Sequence, residues 1–563
     1  MLGKKIILST TILLFCLSTQ LSKAKVNMES DIINTRNDIY RQRDIIEKNE
    51  DTNRQNTITQ IKKSRSERAK NKREINYDNK NNEKIDETIN DTNCIQINTI
   101  KILLNGIKFN KLNKYIQKQY VNKCLNKNNL MSLRDTILNY FISKGYVTTV
   151  VYIDIDKIND GSITFNTVTG KINKVTINGK QKSYLKNKEL NLNELNLLLD
   201  QFNKLRSNNA TMSITPQTDK YNYSDIIINN KKLRRTSVGL DYNNEGNKYI
   251  GRDKYSIFLS QDDFLGTNNN LQIKYTTTDL TNNKDSYSNS LNINLLIPFI
   301  YYTFAINYNR SHYIHHITNG GVIHVINNQK KHNTAILLNR VIYNSYKYKN
   351  DFTIEFERTT LDTIDTTHVY LLHLHGMVRF DKDFSDHIFK LYFNNTFTLN
   401  NKILTIKPII YVSKKDKIIG KLDMNYNSKI TNLWFYNLQF SYQKIKKFVL
   451  KNTANLISLD SDTIRGFKDN STSGQEGFYL NNNFYANFLD NKLKFTIFLD
   501  YGQVKDKVPE KYGTMSSTGF VLNYNKDHLD TYLMCGKGIY NKDFDGKKGK
   551  KENSIKFGIS LKL

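Results

Sequence analysis

From about Thr236 to Leu563 the chain is written in a two-residue period, with no helical periodicity. At its end Ile555, Phe557, Ile559, Leu561 and Leu563 alternate with Lys556, Gly558, Ser560 and Lys562. Upstream, Trp434, Tyr436, Leu438, Phe440 and Tyr442 alternate with Phe435, Asn437, Gln439, Ser441 and Gln443. Side chains of a strand point alternately to its two faces, so each such segment has an apolar face and a mostly polar one. Clusters of Asn, Asp, Gly and Lys divide the segments. This is the pattern of a transmembrane β-barrel, whose closure gives every backbone group a partner in lipid. The many aromatics, 35 Tyr and 28 Phe, suit interfacial girdles. A soluble sandwich alternates in the same way, so the period by itself leaves both folds open. At roughly 20 residues per strand and connection the region holds about 16 antiparallel strands, and a count by eye gives about 16 to 18.

The first residues read as an export signal. Lys4 and Lys5 precede an apolar stretch from Ile6 to Leu17, and Ser22-Lys23-Ala24 offers small residues for cleavage. A signal peptide is therefore expected over residues 1–24. Its apolar core is too short to span a bilayer as a helix. Cys16 lies in that core, without the small residues of a lipoprotein site, and is expected to leave with the peptide. No later apolar run approaches the length of a membrane helix.

With 83 Lys and Arg against 53 Asp and Glu, the formal charge is +30. Such a balance invites a nucleic-acid reading. The cations are spread along the whole chain together with Asn and Ile, which is how a compositional bias looks, and no nucleic-acid partner is expected. The run from Lys62 to Arg73 reads as a solvated tether. There is no HExxH, P-loop, GxSxG or CxxC motif. His315-His316 and the pair His373 and His375 have no carboxylate or cysteine tied to them by spacing. The expectation is no enzyme, no cofactor and no metal.

Between the signal and the barrel four regions differ in character. Residues 25–49 carry Ile32, Ile33, Ile39, Ile45 and Ile46 among charges, without Gly or Pro, and suit a polar helix. Residues 50–93 read as a flexible linker. Residues 94–171 give strand, two helices and two strands, a small α+β unit. A second unit over 172–233 starts at Lys174-Val175-Thr176-Ile177-Asn178-Gly179 and has Leu195, Leu198, Leu199 and Phe202 on a helix. Cys94 and Cys124 flank the first unit's early half, and an oxidising compartment permits a bond between them. Closing that loop adds roughly 3 kcal/mol in the chain-entropy model. Three free thiols, with Cys535, remain the alternative.

Two short motifs narrow the reading. Ile464-Arg465-Gly466-Phe467 lies in a polar loop between Gln443 and Gln475, and Phe498-Leu499-Asp500-Tyr501-Gly502 lies on a later strand. Leu493, Phe495, Ile497, Leu499 and Tyr501 fill the odd positions, so an odd face in lipid turns Phe498, Asp500 and Gly502 to the lumen. A lumenal carboxylate is costly without a partner, and the loop arginine is a suitable one. These stretches resemble the (V/I)RG(F/Y) loop tip and FxDxG strand of the BamA-like outer-membrane superfamily. More narrowly, the chain resembles the TpsB transporters of two-partner secretion. Lys144-Gly145-Tyr146-Val147-Thr148-Thr149, the Thr169-Gly170-Lys171-Ile172 junction and the cysteine pair resemble that family's first POTRA domain. Leu205 to Met212, followed by Pro216, is similar to the second, although Gln217 stands where a glycine is usual.

The resemblance implies a barrel of 16 strands, two periplasmic POTRA domains and a plug helix formed by residues 25–49. It implies a lock made by Arg465, Gly466 and Phe467 with Phe498, Asp500 and Gly502. The expected partners are outer-membrane lipid and a secreted exoprotein of the adhesin or haemolysin kind, with the transporter a monomer. A BamA-like assembly factor is the alternative, against which two POTRA units and a plug-like leader argue. A passive porin has no use for POTRA domains.

Overall fold

The computed structural model describes residues 94–563, apart from 104–109, 154–160, 183–184, 247–250, 282–284, 320–322, 345–346, 372–373, 400, 414–417, 446–456, 469–471, 508–509, 527, 543–548 and 550. The expected signal peptide (1–24), plug helix (25–49) and linker (50–93) lie outside these residues.

The first unit runs β1 (Ile95–Ile97), β2 (Thr99–Leu103), α1 (Asn110–Tyr120), β3 (Lys123–Leu125), α2 (Lys127–Ser143), β4 (Val150–Ile153) and β5 (Ser162–Val168). Leu133, Ile137 and Phe141 recur every four residues, so α2 buries one face against Ile100, Ile163 and Phe165 of the sheet. Asn126 caps the helix, its side chain accepting the Asn129 N–H at 2.9 Å. Gly145 ends it at φ 98°, a conformation that disfavours a side chain. A short strand pair, β1 with β3, was not anticipated from the sequence. It sets Gln96 opposite Cys124, and Cys94 is disulfide-bonded to Cys124 with Cα atoms 5.4 Å apart.

The second unit consists of β6 (Lys171–Ile177), β7 (Lys180–Lys182), α3 (Leu192–Phe202), β8 (Asn208–Pro216) and β9 (Tyr223–Lys232). Its sheet order is β7-β6-β9-β8. Leu195 and Leu198 of α3 pack on Ile172, Val175, Ile226 and Ile228. Pro216 closes the edge strand β8, where no ladder donor is needed. After it, Gln217 donates its N–H to the Tyr223 carbonyl, so the turn forms without glycine.

Sixteen antiparallel strands then close into a barrel. They are β10 (Thr236–Asn243), β11 (Lys254–Asp262), β12 (Asn270–Thr277), β13 (Tyr287–Phe299), β14 (Tyr302–Asn319), β15 (Ile323–Asn344), β16 (Tyr348–Leu371), β17 (Leu374–Leu399), β18 (Lys402–Ser413), β19 (Ile419–Lys429) and β20 (Trp434–Ile445). After a long loop holding β21 (Ile457–Leu459) and β22 (Thr472–Gly474) come β23 (Glu476–Phe488), β24 (Leu493–Lys507), β25 (Glu510–Lys526), β26 (Leu529–Lys542) and β27 (Asn553–Lys562). β10 meets β27 over Gly239–Asn243, which seals the wall. The apolar face is the exposed one: Ile497 and Leu499 are 46% and 50% exposed, whereas Phe498 and Asp500 are buried.

Strands β14 to β17 are 18, 22, 24 and 26 residues long, well beyond segments of about ten. The alternation there is diluted by polar residues, because the outer ends pair with each other beyond the last partners of β13 and β18.

At the other end the second unit rests on the barrel. The Tyr301 hydroxyl donates to Glu194 at 3.1 Å, and Ser207 donates its N–H to Asp262 at 2.7 Å. Burial, with the Glu194 carboxylate beside it, pushes the Tyr301 hydroxyl up to about 12.

Candidate functional site

The loop between β20 and β23 folds back into the barrel. β21 and β22 pair as a small hairpin, and the chain turns tightly at Asp460. The Asp460 carboxylate accepts the N–H groups of Asp462 and Thr463 at 3.0 and 3.2 Å, and the Asp460 carbonyl accepts that of Ile464 at 2.8 Å. This turn delivers Arg465 to the lumenal side of β24.

Arg465 and Asp500 form a bidentate pair. The guanidinium donates through Nη2 to Oδ1 at 2.6 Å and through Nε to Oδ2 at 2.9 Å. The backbone N–H of Arg465 adds a bond to Oδ2 at 3.0 Å. Asp500 is completely buried and Arg465 is 4% exposed. The guanidinium carbon lies 4.1 Å from the centre of the Phe498 ring, a cation–π contact in a site shielded from water. Fork geometry of this sort suits arginine and not lysine.

Strand register supplies two further partners. Asp500 stands opposite Asn481 on β23 and Ser517 on β25. Asn481 donates to Asp500 at 2.8 Å, and Ser517 accepts the Gly466 N–H at 3.0 Å. Phe467 is buried with Ile457, Leu459, Ile464, Val504 and Met515.

Glycines let the loop approach so closely. A Cβ at Gly466 would strike Ser517 and, at 2.6 Å, the Lys537 backbone; one at Gly538 would lie 2.5 Å from the Phe467 ring. Gly502 likewise lies against Leu459. A second set of bonds holds the loop on the β27 side. Lys556 donates to the Ser461 carbonyl at 2.8 Å, and Glu552 accepts the Lys468 N–H at 2.8 Å.

The structure thus brings Arg465, Gly466, Phe467, Phe498, Asp500 and Gly502 together, while Cys94 and Cys124 lie apart in the first α+β unit. No part in holding the loop was expected from the sequence for Asn481, Ser517, Gly538 or Lys556. Residue parity places each of them on a strand face, but nothing local gives the register that aligns one strand with the next. Asn483 donates to Asn437 at 3.1 Å, an amide pair outside the lock. Of the histidines, His316 is exposed and His373 lies outside the described residues. Among the described residues no three His, Cys, Asp or Glu side chains gather as metal ligands.

Comparison with known proteins adds to this geometry. The profile of the family described as haemolysin secretion/activation protein ShlB/FhaC/HecB matches residues 222–370 and 400–524. That of the ShlB-type POTRA domain matches residues 97–170. The chain is similar to the hemolysin transporter protein ShlB of Serratia marcescens, at 21% identity over 74% of this chain and 77% of that protein. It is also 22% identical to the outer membrane transporter CdiB of Dickeya dadantii (strain 3937), over 34% of this chain. That alignment spans only 36% of the Dickeya protein. The solved structure of CdiB from Escherichia coli superposes with a TM-score of 0.76 at 16% identity, covering 96% of this chain and all of that one. With both profiles in chain order, the chain belongs to the ShlB/FhaC/HecB family, the TpsB outer-membrane transporters, whose POTRA domains lie in the periplasm.

Proposed function

We propose that this protein carries an unfolded exoprotein, of the adhesin or haemolysin kind, from the periplasm through its barrel to the cell surface. The observation that carries the reading is the buried Arg465–Asp500 pair, which anchors a long loop inside the lumen instead of leaving it outside. A barrel that served only as a passive pore has no need of such an anchor. The transporter names of the relatives support the same reading.

In this proposal the two POTRA units receive the exoprotein as extended segments, by strand addition or in a helix–strand groove. Residues 25–49 act as a plug that leaves the lumen before passage. Folding of the exoprotein outside supplies the drive, without nucleotide. Co-production with a candidate exoprotein, sought first among the genes beside this one, provides the test. Surface appearance of that exoprotein should depend on this chain and fall sharply in Arg465→Ala, with the barrel still inserted. Equal export with and without the chain would overturn the proposal. Deleting residues 28–49 should raise conductance in planar bilayers, and unchanged conductance would remove the plug from the scheme.

A further inference from the structure

The passage from the second α+β unit into the barrel carries a concentrated positive charge. β9 ends at Lys232, β10 begins at Thr236, and Lys231, Lys232, Arg234 and Arg235 are all exposed. The other connections at this end of the barrel carry at most one Lys or Arg each, so the run exceeds the chain's general enrichment in lysine. Beside it lies the turn from β11 to β12, held close by the Asp262 N–H donating to the Arg235 carbonyl at 2.9 Å. The tip of that turn presents Phe264 and Leu265, 58% and 53% exposed.

Neutralisation within the protein is slight. Among the described residues Asp263 is the one carboxylate paired with these cations, 3.6 Å from Arg235 and 3.9 Å from Lys232. Among the described residues Lys231 and Arg234 have no acidic partner. Above the cations, β10 and β11 turn Val238, Leu240, Ile257 and Leu259 outward, paired Val238 with Leu259 and Leu240 with Ile257. Arg235 is three residues before Val238, a rise of about 10 Å along a strand. The cations therefore stand just below the lipid-facing band, at headgroup depth, with two apolar side chains at the same level.

We propose that Lys231, Lys232, Arg234 and Arg235, with Phe264 and Leu265, form a binding site for anionic phospholipid headgroups in the periplasmic leaflet. Guanidinium groups take phosphate oxygens in a fork, ammonium groups add charge, and the apolar pair enters the acyl boundary. Such binding fixes the point where the second POTRA unit leaves the membrane. The site rests on the outer-membrane placement of the barrel and not on what the barrel exports.

Full-length protein purified with phosphatidylglycerol and phosphatidylcholine, then examined by native mass spectrometry, tests this. The unaltered protein should retain phosphatidylglycerol several-fold over phosphatidylcholine, less so as salt rises. K231Q/K232Q/R234Q/R235Q should abolish the preference, and F264S/L265S should lower retention of both lipids while leaving their ratio. Heat-modifiable gel mobility reports that the barrel is folded. Should the quadruple variant misfold, R234Q/R235Q, outside the β9 ladder, takes its place and should weaken the preference. An unaltered protein without preference, or charge variants that keep it, would overturn the proposal. Displacement of the lipid by inorganic phosphate would also overturn it, by making the cluster a simple anion site.

Discussion

Asn481 and Asp500 face each other across β23 and β24, and the Asn481 amide bridges the carboxylate at 2.8 Å to the Thr463 carbonyl at 2.7 Å. One neutral side chain therefore fastens both the anion of the lock and the backbone of the loop. Replacing it by alanine leaves the partly buried Thr463 carbonyl without this donor, at about 1–3 kcal/mol, and takes one bond from Asp500, which keeps those of Arg465. Asn481→Ala should make the loop between β20 and β23 more easily cut by protease, while heat-modifiable mobility of the barrel stays unchanged. Equal cleavage would show that the amide is not holding the loop.

The ion pair itself predicts a specific kind of non-additivity. Removing one partner of a buried pair typically costs about 3–5 kcal/mol because the other charge is stranded. Arg465→Ala and Asp500→Ala should each reduce export strongly, and the double variant should be little worse than either. Additive losses in the same secretion assay would mean that the two residues act separately.

Gly538 tests how tightly the loop tip is seated. A methyl group there would meet the Phe467 ring at 2.5 Å, and over-packing of this order costs about 1–3 kcal/mol. Gly538→Ala should expose the loop to protease as Asn481→Ala does. Adding Phe467→Leu, which replaces the ring by a shorter side chain, should restore protection; if it does not, the glycine matters for the strand and not for the loop.

The cysteines lend themselves to direct chemistry. Non-reducing mass spectrometry of protein from the envelope should recover the peptides of Cys94 and Cys124 linked, with Cys535 alkylated. Reduction should lower the stability of the first α+β unit by about 3 kcal/mol while the barrel keeps its mobility. Recovery of both thiols free would remove the bond.

Much of the barrel was legible in the chain because lipid enforces one apolar face. The parity of Leu499 and Tyr501 against Asp500 is a local signal, readable without knowing any neighbour. The burial of Asp500 beneath Arg465 was reached through motif resemblance, since no local pattern ties a loop to a strand 35 residues on. Ser517 and Asn481 were hidden because their roles depend on register between strands. The outer reaches of β14–β17 were under-read for another reason: beyond the bilayer neither face must be apolar, and the alternation that marks a strand fades. Gly538 looked like any strand glycine until Phe467 was placed against it.

The wall of this barrel is not equally strong all round. β16 and β17 are laddered without a break from Tyr348 to Leu371, whereas the joint between the first and last strands runs only from Val238 to Asn244, where the Asn244 side chain also bonds to Phe557 and Ile555. Each rung shares a load, so the shortest ladder bears the most per bond. Pulled by tension in the bilayer or warmed in detergent, the cylinder should tear along this joint, and the deep β14–β17 staves should be the last to part.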